Sequence, residues 1–225
     1  MPNTPDALGL SPALGFWAAH AAAMDALYDL FIAGDSGLAL EDNVDSHLLS
    51  LWNGPKQADI RAVIEHAQSD ARRFLKEATA LLVSEFGRTD SPLKVSPKST
   101  RDPWTGRADA TPKGEDSRDK PFQITVSIEC SPDSKAMLYV SVWRKGGKPM
   151  GAAMTSVLRD AYHGVSRPDE LWYPASAVIG EISFLECINE LTGSLDLDAL
   201  FACLESVLKK QDNQVLARLV EVGRE

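Results

Sequence analysis

Three glutamates, Glu181, Glu186 and Glu190, follow one another at spacings of five and four, and on a helix the second pair would share a face. Two carboxylates on one face can hold a cation or divide the acid and base roles of a proton transfer, although the same spacing also describes an ordinary solvated face. The four histidines, His20, His47, His66 and His163, are far apart and lack the paired i, i+3 or i+4 ligands of metal sites in helical bundles. No H-E-x-x-H, C-x-x-C or EF-hand loop occurs, so no metal is expected. Gly146-Gly147 follows a strand-like stretch, but no phosphate-binding glycine motif surrounds it, and the pair reads as a hairpin turn. Nucleophilic catalysis by serine lacks a G-x-S-x-G elbow. The cysteines Cys130, Cys187 and Cys203 are odd in number and read as packed free thiols, which favours a reducing compartment. No cofactor is expected.

Arg61 and His66 form an R-x-x-x-x-H pattern inside the strongest helical stretch of the chain. This resembles the catalytic motif of the HEPN ribonuclease family, whose helical domains pair two such motifs across a dimer. The resemblance covers six residues and implies that Arg61 stabilises phosphate charge and His66 transfers a proton. The residue after the arginine is typically polar in that family and is Ala62 here. The spacing also turns the two side chains about 140° apart on a straight helix. A different chemistry is offered by Lys94, Lys98, Arg101, Arg107, Lys113, Arg118 and Lys120, with Trp104 among them. Charge and stacking of that kind can grip a single-stranded nucleic acid. A second basic run, Arg144, Lys145 and Lys148 beside Trp143, would extend such a patch.

These residues need elements to position them. Pro12 suits a first helical turn capped by Ser11, and one helix is expected from there to Gly34, with Phe16, Trp17, His20, Met24, Leu27, Tyr28 and Phe31 on one face. A shorter helix is expected over Glu41–Trp52, ended by Asn53-Gly54-Pro55. From Gln57 to Phe86 apolar residues recur at helical spacing without interruption, which predicts a helix about 45 Å long closed by Gly87. Residues 88–120 hold four prolines, eight Lys/Arg and six Asp/Glu, and read as a long loop or flexible linker in which Trp104 docks. The period then becomes two: Phe122–Cys130 predicts a half-buried strand, and Ala136–Arg144, apolar on both faces, a strand that is central or covered on both sides. Met150–Gly164 is compatible with a strand running into a short helix, residues 165–175 read as loop, and a helix is expected from Ile179. Asp196 caps a helix to Lys210, and a last helix opens at Asp212 or Asn213.

The expected fold is α+β: an N-terminal helical bundle of about three helices, one long (residues 1–87), the 88–120 linker, and a small antiparallel sheet with C-terminal helices (121–225). A net charge of −9 repels phosphate backbones and anionic membranes at long range. No run of about 18 uncharged apolar residues or signal-peptide pattern occurs, so a soluble, cytoplasmic protein is expected, with no membrane partner. Absent catalytic motifs lean the reading away from an enzyme. Trp17, Trp52, Trp104, Trp143, Trp172 and Tyr173 exceed what a core needs, and aromatics are enriched in interface hot spots. The leading expectation is therefore a non-catalytic protein-interaction subunit, such as an adaptor, an immunity or inhibitor protein, or a chaperone-like component. Its binding residues are sought among Trp104, Trp143, Arg144, Lys145, Lys148, Trp172 and Tyr173. The alternatives are a ribonuclease acting through Arg61 and His66, or a nucleic-acid-binding subunit using the 94–120 segment and the 144–148 turn.

Overall fold

A computed structural model describes residues 11–36, 46–88, 90–114, 122–131, 135–144, 152–161, 175–210 and 213–223. The chain is α+β. Helices α1 (Pro12–Ala19), α2 (Ala21–Ser36), α3 (Ser46–Trp52) and α4 (Gln57–Phe86) come first. A five-stranded sheet follows, formed by β1 (Leu93–Lys98), β2 (Thr105–Pro112), β3 (Phe122–Ser131), β4 (Lys135–Arg144) and β5 (Ala175–Ser183), with α5 (Ala152–Ala161) between the last two strands. Helices α6 (Leu197–Lys209) and α7 (Asn213–Gly223) complete it. The strands lie in chain order and every neighbouring pair is antiparallel.

Helix α4 spans the residues its periodicity predicts. Ile64, Ala67, Ala71, Phe74, Leu75, Ala78, Leu82 and Phe86 are all buried along one stripe. The stripe lies on the sheet, and at Gly106 of β2 the approach is so close that a Cβ would overlap the Thr79 hydroxyl oxygen. Helices α6, α5 and α7 cover the same sheet face farther along. Gly180 of β5 sits under Val207 of α6, and Gly223 of α7 meets Phe122 of β3 and Met154 of α5. One continuous core therefore joins the N-terminal helices, the inner sheet face and the C-terminal helices. Among the described residues, no helix is long and apolar enough to cross a membrane.

Four elements differ from the sequence expectations. The first helix is two helices. At His20 the backbone leaves the helical region (φ −128°, ψ 35°), its N–H is shared between the Phe16 and Trp17 carbonyls, and its own carbonyl starts α2. The bend lets the buried Trp17 indole donate to Asp25 Oδ1 at 2.8 Å, across eight residues that a straight helix would hold about 12 Å apart. The second difference is the presumed linker 88–120, which contains strands β1 and β2. The buried residues of β2 are Gly106, Ala108, Ala110 and Pro112, alternating with Thr105, Arg107, Asp109 and Thr111. Such small side chains carry little apolar signal, yet they are what α4 requires to sit directly on the strand.

The third difference is residues 175–190, where a strand and a 3-10 turn stand in place of a helix. In β5, Gly180 pairs with Leu138 and Val178 with Tyr139, so Ile179 is an extra residue, a β-bulge. Ala177, Ile179 and Ile182 are buried, at a spacing of two and then three that mimics a helix. Finally, Met150–Gly164 contributes α5 alone within its described residues.

Candidate interaction surface

The C-terminal end of β5 runs into a 3-10 turn, Leu185–Cys187, and then a tight reversal closed by an antiparallel bridge between Ile188 and Leu195. Asn189 organises the reversal. Its side-chain oxygen accepts from the Leu191 and Thr192 N–H groups at 3.0 and 3.3 Å, and its backbone carbonyl accepts from Gly193 N–H at 2.8 Å. Asn189 N–H donates to the Ser194 carbonyl at 2.9 Å, and the Thr192 and Ser194 hydroxyls are 2.6 Å apart. Gly193 holds φ +66°, a left-handed conformation that side chains with a Cβ disfavour. Asp196 N–H then donates to the Cys187 carbonyl, while the Asp196 carboxylate caps α6 by accepting from Asp198 and Ala199 N–H.

Helix α1 rests against this reversal. Gly15 is buried there, and a Cβ on it would overlap the Gly193 carbonyl oxygen. Leu14 and Trp17 face inward, and Ser11 ties the helix start to α4 by donating from its hydroxyl to Asp70. Three large apolar side chains are left facing out. Leu191 at the tip of the reversal is 96% exposed, Leu185 in the 3-10 turn 51%, and Phe16, beside Gly15, 49%.

The sequence-derived candidates fall elsewhere. Arg61 is half-buried, and its guanidinium lies 5.0 Å from the centroids of both the Phe31 and Trp52 rings, where it pins α2 and α3 to α4. His66 is exposed on another side of α4. Trp104 is 7% exposed: its indole N–H donates to the Tyr28 hydroxyl at 3.1 Å and its ring packs edge-on against Trp17 and Tyr28. It docks as anticipated, and that docking leaves no ring face for stacking a base. Of the basic run, Lys94, Lys98 and Arg101 are exposed near edge strand β1, while Lys98 and Arg107 both pair with Asp109, at 2.9 and 3.3 Å. Trp143 and Arg144 end β4, opposite Gln123 and Phe122 of β3. Lys145, Lys148, Trp172 and Tyr173, like Arg118 and Lys120, lie outside the described residues. Glu181, Glu186 and Glu190 share no helix; they belong in turn to β5, the 3-10 turn and the reversal.

Two features escaped the sequence reading. Cys187 and Cys203 sit side by side, close enough for their thiols to interact. Burial first, then the neighbouring Cys203 and the charges of Glu186 and Asp196, push the Cys187 thiol up to about 12. Burial likewise raises Cys130, so neither thiol is a ready nucleophile at neutral pH. On the outer sheet face, burial and Asp102 raise the Glu129 carboxyl despite a hydrogen bond with Ser127, and burial and Glu129 in turn raise the Tyr139 phenol. Among the described residues, no group of three or more His, Cys, Asp or Glu side chains converges as metal ligands. No protein-family profile matches the chain, and no curated protein matches it.

Proposed function

We propose that this chain is a non-catalytic protein-interaction subunit of a cytoplasmic complex, and that it docks through the surface formed by α1, the 3-10 turn and the reversal at 189–194. The observation that carries the reading is Leu191, 96% exposed at the tip of a turn whose backbone is held by its own hydrogen bonds. A rigid, protruding apolar side chain loses little freedom on entering a partner's pocket, and anchors of that kind dominate interface energetics. Leu185 and Phe16 are exposed on the 3-10 turn and α1, the elements that adjoin the reversal. The competing ribonuclease reading is weaker because Arg61 is engaged between two aromatic rings and His66 lies on another side of the helix. Free thiols at Cys130, Cys187 and Cys203 suit a reducing compartment.

The test is affinity capture of the tagged chain from its source cells, with Leu191→Asp and Phe16→Asp compared against wild type. Both variants are expected to lose the captured partner, Leu191→Asp with the wild-type melting temperature and Phe16→Asp with a lower one, because its ring also packs on His20 at 4.5 Å between centroids. A partner retained in full by both variants would remove this surface from the reading.

A further inference from the structure

Charge around the reversal is one-sided. From Ala175 to Leu208 the chain carries Glu181, Glu186, Glu190, Asp196, Asp198 and Glu205, and no lysine, arginine or histidine. Glu181 pairs with Lys135 at 3.4 Å and Glu205 with Lys209 at 2.9 Å. Among the described residues, no ion pair engages Glu186, Glu190, Asp196 or Asp198, and all four are exposed. Glu186 follows Leu185 directly, and Glu190 precedes Leu191. Helix α1, the other wall, contributes no charge of either sign. Leu185 and Leu191 are thus each next in sequence to an exposed carboxylate, and residues 175–208 and α1 bring no cation to the described part of this surface.

Resting on the docking reading above, we infer that the occupant of this surface is a basic protein segment: an amphipathic stretch whose apolar face receives Leu191 and Leu185 and whose lysines or arginines meet Glu186 and Glu190. The apolar contact supplies the affinity, and the carboxylates select the sign of the partner and speed its encounter. An acidic partner would set like charges against one another at the rim, and a nucleic acid would do the same with its phosphates. A second copy of this chain, itself at −9, fits less well than a basic partner.

The experiment uses the full chain and two fluorescent helical peptides of identical pattern, one built from leucine and lysine, the other from leucine and glutamate, with binding read by anisotropy. The lysine peptide is expected to bind wild type and to weaken as salt is added. Leu191→Asp and the double variant Glu186→Lys, Glu190→Lys should each weaken it about tenfold or more. The double variant Glu65→Lys, Glu77→Lys, on the exposed side of α4, should leave it unchanged and so separates this surface from attraction to net charge. Equal binding of both peptides, lost with Leu191→Asp, would overturn the basic partner and leave the docking surface standing. Binding that none of the 186, 190 or 191 variants alters would overturn both. Concentration-dependent dimerisation of wild type in sedimentation, abolished by Leu191→Asp, would assign the surface to a second copy instead.

Discussion

Helix α4 and the reversal at 185–195 both carry large apolar side chains, and they put them to opposite uses. In α4 the leucine and phenylalanine side chains of the stripe vanish into the sheet: Phe74 and Leu82 are fully enclosed, with Phe74 edge-on against Phe184 at 6.1 Å between ring centroids. In the reversal, Leu195 is enclosed while Leu191, four residues earlier, stands in solvent. Backbone rigidity is common to both; what differs is whether another element of the chain arrives to cover the side chain. Apolar composition alone therefore says where a segment has binding energy to offer, and the packing says whether the chain itself has consumed it.

The comparison can be broken most forcefully at its buried end. Phe74→Ala should cost about 3–5 kcal/mol, and lower the melting temperature by about 10 °C, because it opens a cavity where helix, sheet and Phe184 meet. Denaturant unfolding read by tryptophan fluorescence measures it. The close approach of α6 to the bulge is probed by Gly180→Val, whose new methyl groups meet Val207. A loss of about 1–3 kcal/mol is expected, and Val207→Ala in the same chain should recover part of it; no recovery would mean the cost lies in the bulge backbone rather than in that contact. Removing the cap of α6 with Asp196→Ala should cost about 1 kcal/mol, since two N–H groups lose their acceptor. At the displayed end, Leu191→Asp should shift stability by no more than about 0.5 kcal/mol while removing the capture of a partner. A large destabilisation there would show that the leucine packs within the chain, and the contrast between the two regions would collapse.

Legibility in the sequence tracked the size of the signal each segment carried. The α4 stripe repeats over 30 residues and no other period fits it, so its ends at Gln57 and Phe86 could be read directly. Strand β3 alternates Phe, Ile and Val with polar residues, and β4, apolar on both faces, lies between two neighbours. Strand β2 was illegible because glycine and alanine fill its inner face, and the pressure that selects them comes from α4 above. Strand β5 misled because one bulged residue, Ile179, converts a period of two into a helix-like spacing. The R-x-x-x-x-H pattern was visible as letters, but the aromatic rings that engage Arg61 come from α2 and α3.

What the sequence by itself determined is everything local: the long amphipathic helix, the alternating strands, the Asp196 cap, the stop at Gly87 and the overall α+β class, since each depends on residues a few positions apart. Only the tertiary structure decided which apolar residues are core and which face outward, that Trp104 closes an aromatic cluster rather than waiting for a ligand, that Cys187 lies beside Cys203, and that α1 braces a turn nearly two hundred residues away. Those facts depend on contacts between distant segments, whose energies are spread over many small van der Waals and burial terms and leave no pattern in any short stretch of the chain.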